Sequence, residues 1–157
     1  MLEAVCANAE AVQIGIGSAN KYNARNPFTA NESADIIDAA LEPRYANYTF
    51  LPIPDFAHLP EYKDGQKWKA FVVQQFGPLD AFVTANPFVG ELLKDTYRIV
   101  HPATLIPKEH WLQLRATEVR VAMAGYGDWK KLVPLEVATH MEKEGLVDRF
   151  QKEFGLA

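Results

Sequence analysis

Two spacings of apolar residues alternate along the chain. Compact apolar runs at 11–17 (AVQIGIG), 48–53 (YTFLPI), 79–84 (LDAFVT) and 97–100 (YRIV) predict four strands. Runs this short, bounded by turn residues, fit the strands of a parallel sheet. Elsewhere apolar residues recur every three or four positions, the spacing of one helix face. A short helix piece covers 2–9. After Thr29, the set Ser33, Ile36, Ile37, Ala40 and Leu41 shares a face, with Pro43 as the expected stop. Thr29 and Glu32 have the spacing of a capping box, in which each side chain satisfies a free N–H at the helix start. Trp68, Phe71, Val72 and Phe76 mark another face, closed by Gly77-Pro78. Asn86-Pro87 opens the next helix as cap and first turn.

A loop from His101 to Leu114 leads to a helix from near Thr117 to Gly125. Two last helices follow, one turning Leu135, Ala138 and Met141 inward and the other Leu146, Phe150 and Phe154. Pro52 requires that its end of the second strand not lie mid-sheet. Strand and helix thus alternate, which predicts an α/β fold: one domain over 1–157, a doubly wound, Rossmann-like parallel sheet with right-handed crossovers. Ligands in such folds sit beyond the carboxyl ends of the strands. Three segments fall there: Gly17 to Asn26, Thr84 to Pro87, and the approach to Thr117.

Composition narrows the partners. Sixteen basic against twenty acidic residues give a net charge of −4. That argues against broad nucleic-acid or anionic-membrane binding, which needs a basic footprint, but leaves room for a local basic pocket around a small anion. No apolar run approaches the ~20 residues of a membrane span. The apolar start lacks a basic n-region. Cys6 is the single cysteine, so no intrachain disulfide forms and a reducing, cytoplasmic setting is expected. Cys6, Trp111 and Trp129 read as packing residues.

The sequence has no Gly-rich Lys-Ser/Thr phosphate loop, no G-x-G-x-x-G and no G-x-S-x-G elbow. His58, His101, His110 and His140 lack metal-ligand spacing and read as surface or structural groups. Two basic segments remain. In Leu114 to Arg120, Thr117 stands where a helix begins, and free N–H groups there can hold a phosphate. Arg120 lies one turn on, leaning back toward that end, and Arg115 adds a second cation. The same residues also read as a plain Thr117 cap with two surface arginines. In Gly17-Ser18-Ala19-Asn20-Lys21, the glycine lets a ligand approach the backbone, and Lys21 and Arg25 can neutralise phosphates. The plainer reading there is a polar loop into a well-capped helix. Trp68 can stack on a ring or sit in the core, and Asn86 can bond a base or simply cap its helix.

Taken in order, 14–33 (IGIGSANKYNARNPFTANES), 51–55 (LPIPD), the Trp68 helix, 84–89 (TANPFV) and 115–134 (RATEVRVAMAGYGDWKKLVP) resemble the archaeal-type nicotinamide-nucleotide adenylyltransferases. The resemblance implies a nucleotidyltransferase-type sheet and transfer of adenylyl from ATP to nicotinamide mononucleotide, giving NAD and pyrophosphate, with Mg2+ accompanying ATP. It implies that Gly17 to Asn20 match the family's strand-end loop and Arg25 to Thr29 its R-(D/N)-P-F-T motif, where Arg25 contacts a phosphate, and that Trp68 packs on the nicotinamide. It also implies that Asn86 lies on the nucleotide side, and that Thr117 and Arg120 keep the S-x-T-x-x-R signature that binds ATP phosphates. Homo-oligomers are common in the family.

Three departures stand out. Arg115 replaces the signature's Ser, and Ser33 stands where many relatives have Arg. The family also opens with a central strand and an H-x-G-H turn, and this sequence begins inside the helix that follows. Roughly twenty residues are therefore expected upstream, with Met1 an internal methionine of a longer protein and the shortened chain weak or inactive. Two other readings share these residues: a nucleotidyltransferase for another phosphate or for CTP, and a non-catalytic module that binds NAD or assembles with a partner.

Overall fold

The computed structural model describes residues 1–42, 44–111 and 114–155. They group into two compact units, 1–17 with 47–111, and 18–46 with 112–157. Pro43, the expected helix stop, lies outside the described residues.

The first unit carries the strands. α1 (Leu2–Ala7) precedes β1 (Val12–Gly17), which runs parallel to β2 (Tyr48–Ile53), Val12 opposite Tyr48 and Gly17 opposite Ile53. The Val12 N–H donates to Asn47 O. Odd-numbered β2 residues therefore face β1, and Pro52, which has no N–H to offer, faces the open edge, as its chemistry requires. β1 is buried on one face only, through Val12, Ile14 and Ile16, while Gln13, Gly15 and Gly17 are exposed. Cys6 is buried as expected.

α3 (Gln66–Phe76) starts after Gly65 and ends at Gly77, both with positive φ. Val72 and Phe76 on its inner face join Ile53, Leu93 and Tyr97 in one core cluster. β3 (Phe82–Val83) and β4 (Ile99–Val100) pair in parallel, Phe82 opposite Ile99. Both are shorter than the apolar runs that predicted them. Leu79 packs into the cluster instead of the ladder, and Tyr97 is buried there with its hydroxyl donating to Gly77 O at 2.7 Å. An apolar run marks burial, and only a neighbouring backbone makes it a strand.

The fold is parallel α/β with a small sheet, present as two separate two-stranded pieces among the described residues. Phe76 stands against both: an added Cβ at Gly15 would lie 3.1 Å from its ring, and the Phe82 ring meets it edge-on at 5.7 Å. β1 spends alternate backbone groups on β2, and β3 spends alternate groups on β4 through Phe82 N and Thr84 N. Each pair thus keeps an edge without a strand partner among the described residues.

The second unit is helical. α2 (Ala30–Leu41) has the predicted capping box, with both hydrogen bonds between Thr29 and Glu32 made. α5 (Ala116–Ala124), α6 (Leu135–Lys143) and α7 (Leu146–Phe154) complete it. Met123, Trp129, Val137, Ala138, Met141, Leu146 and Phe150 are buried in its core, against Phe28, Ile36 and Ala40. Each large side chain buried there is worth about 1.5–3 kcal/mol. Leu135, expected inward, is 77% exposed, because the buried stripe of α6 runs through Val137, Ala138 and Met141. Trp129 packs as expected, whereas Trp111 is 48% exposed and donates its indole N–H to Ile106 O. No described helix is long and apolar enough to cross a membrane.

Candidate functional site

The segment after β1 is shaped by its own polar groups. Ser18 adopts the left-handed conformation, and the Lys21 N–H donates to Ser18 O at 2.9 Å, closing a turn directly after Gly17. The Asn23 side-chain oxygen accepts from the Arg25 and Asn26 N–H groups at 3.0 and 3.1 Å, and the main chains of Asn23 and Asn26 exchange two further hydrogen bonds. This is an Asx-type turn, and it leaves Arg25 exposed. Ser18 and Lys21 are half-buried and Asn20 is exposed on the same segment. Pro27 then buries and Thr29 opens α2.

Arg149 on α7 fastens this segment, and sequence reasoning missed it. Its guanidinium donates to both Glu32 carboxylate oxygens, at 2.5 and 2.8 Å, and to Pro27 O at 3.3 Å. It also lies over the Tyr22 ring, 5.7 Å from the centroid, while the Tyr22 hydroxyl donates to Glu153. Arg149 beside Glu32 holds that carboxyl down at about 2, helped by the hydrogen bonds from Thr29 and opposed by burial. The same pairing raises the Arg149 pKa. Glu32 and Arg149 are 117 residues apart, so no local pattern joins them.

At the other basic segment the structure corrects the expected cap. The residue flanking α5 is Arg115, and no side chain caps the helix; Thr117 lies inside the first turn. The Thr117 hydroxyl instead accepts from Arg120 Nη2 at 3.2 Å. Arg120 therefore leans toward the helix start, as its one-turn spacing predicts. Arg115 and Thr117 are exposed and Arg120 half-buried. Three features that favour an anion meet here: a helix start with no side-chain cap, the positive end of the helix dipole, and the Arg120 guanidinium turned toward it, with Arg115 at the flanking position.

Trp68 and Asn86 belong to the first unit. Trp68 is half-buried and packs against the Phe76 cluster, so its core role is realised without full enclosure. Asn86 caps α4 (Pro87–Leu93), its oxygen accepting from the Phe88 and Val89 N–H groups at 3.0 and 3.4 Å. Its own N–H donates to Thr84 Oγ1.

Parallel strands with intervening helices, a Gly-ended strand opening into a basic loop, and an arginine-bearing helix start define a nucleotidyltransferase-like α/β protein. No family model matches the chain. It is similar to the nicotinamide-nucleotide adenylyltransferase of Thermococcus kodakarensis, 30% identical over 154 residues, covering 96% of this chain and 77% of that one. The enzyme of that name from Archaeoglobus fulgidus is 32% identical over 127 residues, 80% of this chain and 71% of the relative. That of Methanolobus tindarius is 28% identical over 152 residues, 96% and 83%. The chain belongs to the nicotinamide-nucleotide adenylyltransferase family, a family of nucleotide-transferring enzymes of NAD biosynthesis.

Proposed function

We propose that the protein binds ATP and nicotinamide mononucleotide and transfers the adenylyl group between them, giving NAD and pyrophosphate. The observation that carries this is the uncapped start of α5 with Arg120 turned toward it, in a chain related over 96% of its length to adenylyltransferases. The mononucleotide phosphate oxygen attacks the α-phosphorus of ATP and pyrophosphate leaves. One substrate supplies the nucleophile, so the protein's task is alignment and positive charge. Arg120, Arg115 and the N–H groups near Thr117 stabilise the triphosphate. Lys21 and Arg25, with the backbone of Gly17, Ser18 and Asn20, hold the phosphate of the mononucleotide. Trp68 is the candidate partner of the nicotinamide ring, and Asn86 stays a cap that fixes the start of α4. Among the described residues no cluster of three or more His, Cys, Asp or Glu side chains could hold a metal ion. Magnesium in this proposal arrives on the ATP phosphates, its usual mode of binding.

The 157 residues by themselves turn over slowly in this reading. They contain no H-x-G-H, and β1 and β3 each keep one edge without a strand partner among the described residues. The same facts favour a second reading, a non-catalytic module that binds NAD or assembles with another chain through those edges. Calorimetric titration with NAD, paired with an assay of NAD formation from ATP, magnesium and nicotinamide mononucleotide, tests both. Saturable binding with slow NAD formation supports the first reading, and binding without formation supports the second. A folded protein with neither overturns both.

A further inference from the structure

We propose that Arg149 is a positioning residue for the phosphate of the acceptor mononucleotide, acting through the 22–32 segment that carries Arg25. The inference rests on the reading above in which Arg25 meets that phosphate. The turn at Asn23–Asn26 is closed by its own Asx hydrogen bonds. Arg149 ties both of its ends to α7. On the near side its guanidinium lies over the Tyr22 ring; on the far side it donates to Pro27 O and to both oxygens of Glu32. Glu32 in turn accepts from the Thr29 N–H at 2.8 Å, so the ion pair and the cap of α2 share one carboxylate.

The planar two-pronged donor fits this task, because it fixes direction as well as distance. Arg149 Nε is buried with no hydrogen-bond partner among the described residues, so the hydrogen bonds of the clamp come from the two terminal nitrogens. A lysine offers one point charge and lacks the planar fork that bonds both Glu32 oxygens side by side. The clamp fixes where the Arg25 backbone sits while leaving the Arg25 side chain exposed to meet an anion.

The test is calorimetric binding to the full 157-residue chain, with nicotinamide mononucleotide, nicotinamide riboside and Mg-ATP as separate probes. Arg149→Gln is expected to weaken mononucleotide binding about tenfold, the loss of one well-placed charge-assisted contact. Riboside and ATP binding should stay within about twofold. Arg149→Lys should not restore the mononucleotide affinity. Tyr22→Leu removes the stacked ring while keeping the ion pair, and should give a smaller loss of the same kind, which keeps the test usable if Arg149→Gln unfolds. Arg25→Ala is the control on the underlying reading. If it weakens mononucleotide binding and the Arg149 and Tyr22 variants do not, the clamp is merely structural and the inference falls alone. If Arg25→Ala leaves binding unchanged, the reading of the loop fails and the inference falls with it. Equal losses for all three probes also overturn the inference.

Discussion

Arg120 Nη2 lies 3.2 Å from Thr117 Oγ1, one turn back along α5, so the guanidinium and the uncapped helix start face the same space. A hydroxyl that accepts from Arg120 holds the cation where a phosphate would approach the free N–H groups. Arg120→Ala is expected to weaken binding of Mg-ATP and of NAD by about 10- to 100-fold, the range for a charged hydrogen bond of about 1.5–3 kcal/mol. Thermal stability should change little, because the bond from Arg120 to Thr117 is an exposed one. Isothermal titration beside a melting curve checks both, and unchanged affinity removes Arg120 from the site.

The Glu32–Arg149 pair makes acid stability diagnostic. The Glu32 carboxyl ionises at about 2 in the fold, against an ordinary 4.5. A depressed pKa means its contribution is fully present above 4.5 and is lost as pH falls toward 2. The shift corresponds at most to on the order of 3 kcal/mol, and partial solvent screening of the pair reduces the expected loss to about 1–2 kcal/mol. Urea denaturation at pH 6 and pH 3 should show that loss for the unsubstituted protein, and a clearly smaller one for Glu32→Gln. Equal pH slopes for the two proteins would contradict the pairing.

Gly65 sits at φ +77, and a Cβ there would lie 2.9 Å from Leu92 and 3.0 Å from Phe88. Both the left-handed backbone and the contact with α4 oppose a side chain. Gly65→Ala should destabilise the protein by about 1–3 kcal/mol, read as a lower urea midpoint. Gly17, whose added Cβ would meet nothing within 4 Å, is the control. Gly17→Ala should cost well under about 1 kcal/mol.

Leu93 and Leu135 separate core from surface. Leu93 is fully buried and Leu135 is 77% exposed. Leu93→Ala should cost about 2–5 kcal/mol and Leu135→Ala within about 0.5 kcal/mol. A large effect at Leu135 would mean that its exposed face is covered in solution, which light scattering would detect as assembly.

Much of the local structure was legible in the residues. The Thr29–Glu32 box, the Asn86 cap, the glycines closing α3 and α5, and the parallel α/β class all follow from interactions within a few positions. The errors lie where a distant neighbour decides. The run at 79–84 gave two strand residues because β4 is in register with it at Phe82 and Val83. Leu135 has the spacing of a core residue, but the packing partners of α6 selected a neighbouring stripe. Thr117 was the obvious cap by type, yet the helix begins one residue before it and Arg115 takes the flanking position.

The family, the order of elements and the basic segments were set by the sequence itself, because capping, periodicity and motif order act over one or two turns of chain. Which strands meet, which face of α6 buries, and the joining of Tyr22, Pro27 and Glu32 by Arg149 were decided only in three dimensions. Those contacts link residues up to 127 positions apart, Tyr22 to Arg149, and no local preference encodes a partner that far along the chain; it exists once burial of the helical core has brought α7 against the start of α2.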